Sequence, residues 1–113
     1  MTKVLEAKKL KMREEVAGWA EKIGVKPTRV QVQRMTSKWA SCSTAGRVCF
    51  SADLLEEPLA FREVVIVHEL LHLLVPNHGK LFKSLMKAHL PGWERVVRER
   101  HEDIYVGLDR RRC

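Results

Sequence analysis

His68-Glu69-Leu70-Leu71-His72, followed six residues later by His78, is the stretch that decides the fold and the chemistry of this chain. On a helix, residues four apart lie on the same face, with their Cβ atoms roughly 5–6 Å apart. That separation allows two imidazoles to bind one Zn²⁺ at Zn–N distances of about 2.0–2.1 Å. With His78 as a third ligand, one tetrahedral position stays open for water, which is typical of a catalytic zinc site. The pattern predicts a metal-dependent hydrolase with Glu69 as its general base.

The residues around this motif predict a buried central helix. The motif continues the apolar run 64–67, and more apolar residues follow it as far as Val75. The run 64–67 alone could equally be a buried strand, because so short a run has no decisive period. Pro58 suits a helix start and Pro76 a helix end, so we expect the helix to span 59–75. The alternative interpretation is a pair of hydrogen-bonded core histidines beside a surface glutamate.

Length and composition predict one domain over residues 1–113, with residues 107–113 as a flexible tail. Apolar residues make up 45% of the chain, as in ordinary globular proteins. No apolar stretch reaches the roughly 20 residues that span a bilayer, and residues 1–6 do not resemble a secretory signal. The three cysteines, Cys42, Cys49 and Cys113, form no CxxC pair, so we expect a reduced cytoplasmic protein. Cys42 and Cys49 could alternatively pair, or lie in the metal pocket.

The net charge of +7 permits contact with nucleic acid, acidic proteins or anionic phosphates, without establishing any of them. Part of the positive charge is concentrated near the C-terminus, in Arg95, Arg98, Arg100 and residues 110–112. Solvated helix faces account for most charge runs of this kind, and we favour that interpretation over a binding patch.

The pattern of apolar residues predicts the α+β class, with the elements in the order helix, small sheet, helices. An amphipathic helix over 4–23 ends at Gly24, and a half-buried strand follows at 30–33. Turn residues 43–46 should join this strand to a second strand candidate at 47–51, and a short edge strand could lie near 38–42. Further helices are expected over 80–89 and from 93 to about 104. A small twisted sheet should pack on the central motif helix, followed by these two C-terminal helices.

The chain resembles the YgjP-like (SprT-like fold) zinc metallopeptidases of the zincin class over nearly its whole length. Three segments match family motifs: residues 34–42 resemble Arg-Trp-Gly-Ser-Cys, residues 65–73 contain HExxH, and residues 76–82 contain Pro-Asn-His. Residues 90–93, Leu-Pro-Gly-Trp, also resemble the Pro-Asp-Trp that follows the family's next helix. The combination of these motifs is far more specific than HExxH alone.

The resemblance implies a small zincin with one Zn²⁺ per chain, held by His68, His72 and His78, and with Glu69 as general base and acid. The chain departs from the family pattern at three positions. Ala40 replaces a usual Gly, Ser51 a common Asn, and Gly79 a common Ser. None of these positions is an expected ligand, so they bear on the substrate cleft rather than on the metal.

The predicted reaction is hydrolysis of a peptide bond in a peptide or unfolded protein. A sheet edge around Lys38, Trp39 and Ser41 is a candidate substrate-binding segment, since an extended peptide can add to a strand. Tyr105, His101 and His89 are candidates for stabilising the oxyanion by residue type only.

Two other functions remain open at this point. The same chemistry could hydrolyse a phosphoanhydride, as in a nucleotide pyrophosphatase, although the chain has no GxxxxGK[ST] loop. The chain could also be a nucleic-acid-associated protein whose zinc is structural and closed by Cys42 or Cys113. The oligomeric state does not follow from the sequence.

Overall fold

A computed structural model of the protein describes residues 2–36 and 38–99. These residues form an α+β fold of four α-helices and one three-stranded sheet, which confirms the predicted fold class. The helices are α1 (Thr2–Ile23), α2 (Leu59–Leu71), α3 (Lys80–His89) and α4 (Trp93–Glu99). The strands are β1 (Arg29–Gln33), β2 (Ala40–Cys42) and β3 (Arg47–Ser51), and a 3₁₀ helix over Ala52–Glu56 follows β3.

The sheet has the order β1-β3-β2, so the last strand in sequence lies in the centre. The turn at 43–46 joins β2 to β3, and these two strands are antiparallel. β1 instead pairs with β3 in parallel, with Val30 opposite Val48 and Val32 opposite Phe50. The expectation that the turn connects the two longer strands is therefore wrong, because a third strand comes between them in sequence.

Helix α1 ends as its sequence predicts and buries only part of its apolar surface. Gly24 has a φ of +87°, and the N–H groups of Gly24 and Val25 both donate to the carbonyl of Ala20. Buried side chains recur every four residues at Met12, Val16 and Ala20. The apolar residues nearer the N-terminus, Val4 and Leu5, are 59% and 40% exposed. The packed part of α1 is therefore its C-terminal half.

Helix α2 is the core of the molecule. Every residue from Val64 to Leu71 is buried, and α2 contacts α1, α3, α4 and β2. The helix ends at Leu71 rather than at the predicted Val75. The next residues continue in tight turns, because the N–H groups of Leu73 and Leu74 donate to carbonyls only three residues earlier.

One ion pair ties α1 to α2. The Arg62 guanidinium donates from Nε and Nη2 to the two carboxylate oxygens of Glu15, at 3.1 and 2.7 Å. Arg62 also donates from Nη1 to the carbonyl of Glu57 at 2.8 Å. The side chains of Glu15 and Arg62 are only 15% and 14% exposed, so the pair is largely shielded from water.

The two cysteines in the described part of the chain lie on opposite faces of the sheet. Cys42 is opposite Val48 and packs against the core, whereas Cys49 is opposite Ser41. Cys49 lies beside Gln31 on the other face, with its Sγ atom 3.9 Å from Gln31 Oε1. A disulfide between Cys42 and Cys49 is therefore excluded.

The C-terminal helices agree with the sequence as far as the structure describes them. The predicted bounds of α3 are confirmed, and α4 is seen from Trp93 to Glu99. The rest of the helix predicted to reach about 104, and the predicted tail at 107–113, lie outside the described residues. Within the described ranges, no helix has the length and apolar character needed to cross a membrane.

Candidate metal centre

The end of α2 positions the first two histidines. His68 lies in the last turn of the helix and has no exposed surface, and His72 is the residue that caps the helix C-terminus. The backbone of His72 is still helical, with φ of −66° and ψ of −14°. The four-residue spacing therefore keeps both rings on one side of the helix, and their Nε2 atoms lie 3.3 Å apart.

The loop after α2 brings the third histidine to the same place. Val75 is buried, Pro76 and Asn77 are exposed, and the Asn77 side-chain oxygen accepts a hydrogen bond from the Gly79 N–H at 3.1 Å. This turn leads into α3 and places His78 Nε2 3.0 Å from His72 Nε2. The ligand atoms of all three histidines lie within 4.8 Å of one another.

A backbone carbonyl orients the middle ring. His72 Nδ1 lies 3.1 Å from the carbonyl oxygen of Val75, a distance at which Nδ1–H donates to it. With its proton on Nδ1, the neutral ring presents the Nε2 lone pair toward the other two histidines. Metal-binding histidines usually have such a partner on the second ring nitrogen. For His72, the turn that ends α2 supplies this partner.

Two of the three nitrogen–nitrogen separations fit a tetrahedral metal ion, and the third pair, His68 and His78, lies within 4.8 Å. Ligand nitrogens about 2.05 Å from a tetrahedral zinc ion are about 3.3 Å from one another. The observed Nε2–Nε2 distances are 3.3 Å for His68 and His72, and 3.0 Å for His72 and His78. Three neutral imidazoles suit zinc and several other transition metals. Among the described residues no cysteine or carboxylate joins this cluster, so Cys42 does not close the site.

Glu69 is buried beside this cluster. It directly follows His68 on α2 and has no exposed surface. The alternative interpretation of the motif places this glutamate on the protein surface, so that part of the alternative is wrong. A buried carboxylate adjacent in sequence to a candidate metal ligand is a candidate for exchanging a proton with a bound water molecule.

The other candidate residues make contacts of their own in the fold. Trp39 packs edge-on against Phe61 at 5.2 Å between ring centroids, Ser41 is buried in β2, and Lys38 is partly exposed just before β2. The ring of His89 packs edge-on against Trp19, with 6.4 Å between the ring centroids, so this contact explains His89 as a packing residue. The remaining oxyanion candidates, His101 and Tyr105, lie outside the described residues.

The backbone of β2 has one side toward β3 and one side toward the outer edge of the sheet. The carbonyl of Trp39 accepts from the N–H of Ser51, and the N–H of Ser43 donates to the carbonyl of Arg47. Along an antiparallel pair, residues whose backbone groups bond to the partner strand alternate with residues whose backbone groups face away from it. The backbone groups of Ala40 and Cys42 therefore face the outer edge. Ala40 has no exposed surface, whereas Cys42 is partly exposed.

Phe82 is the site residue that sequence reasoning missed. Its ring lies 5.1, 4.8 and 4.9 Å from the ring centroids of His68, His72 and His78. The sequence indicates only that Phe82 belongs to the apolar side of α3. Its position four residues after His78 gives no signal, because His78 precedes α3 and helical spacing does not relate the two residues.

Comparison with known proteins gives a similar fold and a matching family. The fold is similar to that in a structure described as the crystal structure of the metallopeptidase zymogen of Pyrococcus abyssi abylysin, with a TM-score of 0.67 at 16% sequence identity. The similarity covers 81% of this chain and 97% of abylysin. No curated protein sequence matches the chain. Residues 3–101 match the model of the YgjP-like metallopeptidase domain, and the chain belongs to that family. The family confirms the resemblance seen in the sequence and supports a metal-dependent peptidase.

Proposed function

We propose that the protein is a zinc-dependent metallopeptidase that hydrolyses peptide bonds in unfolded or extended polypeptides. The observation that carries the proposal is the convergence of three imidazoles at the end of α2, which also contributes the buried Glu69. The Nε2 atom of His72 lies 3.3 Å from that of His68 and 3.0 Å from that of His78. The matching family supports peptide hydrolysis over the alternative nucleotide pyrophosphatase. His68, His72 and His78 would hold one zinc ion per chain.

Each residue then has a defined task. When bound, zinc supplies a Lewis acid that lowers the pKa of water and stabilises negative charge on the carbonyl oxygen. Glu69 accepts the proton of the attacking water and passes it to the leaving nitrogen of the peptide bond. The hydrogen bond from His72 Nδ1 to the Val75 carbonyl holds that imidazole with Nε2 toward the metal position.

The outer edge of β2 is our candidate for substrate binding. A peptide added as a strand would make backbone hydrogen bonds to Ala40 and Cys42, whose groups face away from β3. The peptide would first contact β2 at Cys42, because this residue is partly exposed. Lys38, Trp39 and Ser41 would contribute through their side chains. A reducing, cytoplasmic setting also forms part of the proposal, since Cys42 and Cys49 lie on opposite sheet faces.

The test is cleavage of an unfolded, fluorescently labelled protein by the purified zinc-loaded enzyme and by Glu69→Gln. We expect a loss of at least about 100-fold in kcat for Glu69→Gln, because proton transfer by a positioned side chain contributes roughly 10²–10⁴-fold. The zinc content should stay near one per chain. Glu63→Gln, on the same helix, is the matched control and should cleave at the wild-type rate.

The alternatives are separated in the same assay. Nucleoside triphosphates replace the labelled protein in a parallel reaction. Turnover of the nucleotide without cleavage of the protein would make the enzyme a nucleotide hydrolase. Salt-sensitive DNA binding by both wild-type and Glu69→Gln protein, with no hydrolysis by either, would instead identify a nucleic-acid-binding module. Either result contradicts the proposed function.

A further inference from the structure

One aromatic ring contacts all three candidate metal ligands. Phe82, in the first turn of α3, has no exposed surface. Its ring is stacked on His72, with 27° between the planes, and meets His68 and His78 edge to face, at 73° and 82°. The three centroid distances lie between 4.8 and 5.1 Å, within the range of favourable ring contacts.

We propose that Phe82 is a positioning residue that holds the three imidazoles in the orientation that a metal ion requires before the ion binds. The inference rests on the proposed metal site and deepens it by assigning the group that arranges the site. The ring torsion of a histidine is broad and roughly two-fold, so its plane is not set by the backbone. Contact with a fixed neighbouring ring restricts that torsion.

The three histidines come from different parts of the chain. His68 and His72 lie at the end of α2, and the Val75 carbonyl also orients His72. His78 lies in the loop before α3, with its Nε2 atom 3.0 Å from His72 Nε2. Phe82, from α3, contacts all three rings and therefore packs against the loop histidine and the helical pair at once.

The chemistry of phenylalanine suits this role. Its ring carries no nitrogen, oxygen or sulfur, so it fills the space beside the imidazoles without competing for the metal. The contact is also buried, which keeps that side of the cluster away from water. A preorganised set of ligands loses less conformational entropy when it binds, and affinity rises for that reason.

The experiment compares Phe82→Leu with Phe61→Leu, a matched control. Phe61 is equally buried, at 1% exposed, and packs against Trp39 from the N-terminal part of α2. Both variants lose the same volume from the core, so a purely structural role predicts similar effects. The measurement is Co²⁺ affinity of the metal-stripped proteins, by competition with a chelator, together with the visible absorption of the Co²⁺ form.

We expect Phe82→Leu to bind Co²⁺ at least about 10-fold more weakly, since residues that orient metal ligands typically account for roughly 10–100-fold in affinity. Its Co²⁺ spectrum should change in intensity, while Phe61→Leu keeps the wild-type affinity and spectrum. Phe82→Met, which keeps a long apolar side chain without a ring, should fold if Phe82→Leu does not, and should weaken binding in the same way.

The outcomes separate this proposal from the proposed function. Wild-type affinity in Phe82→Leu or Phe82→Met, or equal weakening in Phe61→Leu, overturns the role of Phe82 and leaves the metal site intact. If wild-type protein itself binds neither Co²⁺ nor Zn²⁺, the proposed function fails together with this inference.

Discussion

The Nε2 atoms of His72 and His78 lie 3.0 Å apart, although the end of α2 and a Pro-Asn loop separate the two residues along the chain. Because the Nδ1 proton of His72 is directed at the Val75 carbonyl, its Nε2 presents a lone pair to His78. A nitrogen lone pair this close to a second ring nitrogen is favourable only with a proton or a cation between them. A hydrogen bond or a shared metal ion would satisfy this contact, and metal analysis of a His78 variant distinguishes the two.

His78→Ala is expected to lose the metal and keep the fold. Removing one of three ligands should weaken zinc binding by more than the roughly 10–100-fold seen for partners that only orient a ligand. The measurement is the zinc content after dialysis, together with far-UV circular dichroism. His89→Ala is the control, since that histidine packs against Trp19 away from the cluster. Near-stoichiometric zinc in purified His78→Ala would remove this residue from the site.

Zinc is expected to stabilise the folded protein. A ligand that binds only the folded state adds about 2.7 kcal/mol to the free energy of unfolding at 100 times its dissociation constant, and about 4.1 kcal/mol at 1,000 times. Urea unfolding with zinc and with a chelator measures the difference. The same comparison in His78→Ala should show a much smaller change at the same zinc concentration. Equal stabilisation of both proteins would indicate that zinc binds elsewhere.

Glu15→Gln is expected to lower the free energy of unfolding by about 1.5–3 kcal/mol, the range for hydrogen bonds to charged groups. It removes the charge that faces Arg62 in a largely shielded place. The control is Glu56→Gln: Glu56 pairs with Lys8 where the side chains are 67% and 40% exposed, so its loss should cost less than about 1 kcal/mol. Equal effects in urea unfolding would contradict the expectation that the shielded pair stabilises the protein more than the exposed one.

The same pair has a consequence for pH. The hydrogen bond that Arg62 donates to Glu15, and then the negative charge of that carboxylate, hold the pKa of Arg62 above its ordinary value despite partial burial. A base whose pKa is raised by folding stabilises the protein fully below its unfolded pKa, and this contribution is lost only as the pH rises through the folded value. Stability measured from pH 6 to 9 should therefore show no step from Arg62.

Gly46→Ala is expected to destabilise the protein, whereas Gly18→Ala should stabilise it. Gly46 has a φ of +89°, and a Cβ atom there would lie 3.1 Å from Thr28 Cγ2, so we expect a loss of about 1–2 kcal/mol. Gly18 lies inside α1 with open space around it, and alanine should gain about 0.5–1 kcal/mol. Thermal unfolding of both variants measures the difference. A stabilised Gly46→Ala would show that the turn tolerates a side chain.

Local signals in the sequence were enough to predict most of the helices. The spacing of Met12, Val16 and Ala20, together with Gly24, marks α1 because a helix and its cap depend on neighbouring residues. The motif histidines were found for the same reason, since their spacing matches one helical turn. The early end of α2 was not predicted, because apolar residues continue past it to Val75 in a tighter turn.

Contacts between distant segments could not be read in this way. Neither Val30 nor Val48 carries a signal that their strands pair in parallel. The two strands are neighbours in the sheet although β2 lies between them in sequence. The contact of Phe82 with the three histidines likewise depends on how α3 turns back against α2. In the sequence, Phe82 cannot be told apart from Met86, which is equally buried one turn later.

The central place of β3 also sets the order of events during synthesis on the ribosome. Both neighbouring strands pair with β3, yet β3 is the last of the three to be made. When the nascent chain has emerged only as far as residue 46, α1 can form transiently. β1 and β2 cannot yet pair, because β3 has not emerged. Isolated helices are marginal in water, so stable structure must wait until Ser51 and the helix after it have left the exit tunnel. The protein should therefore fold in one late step, which arrested-chain protease protection can follow.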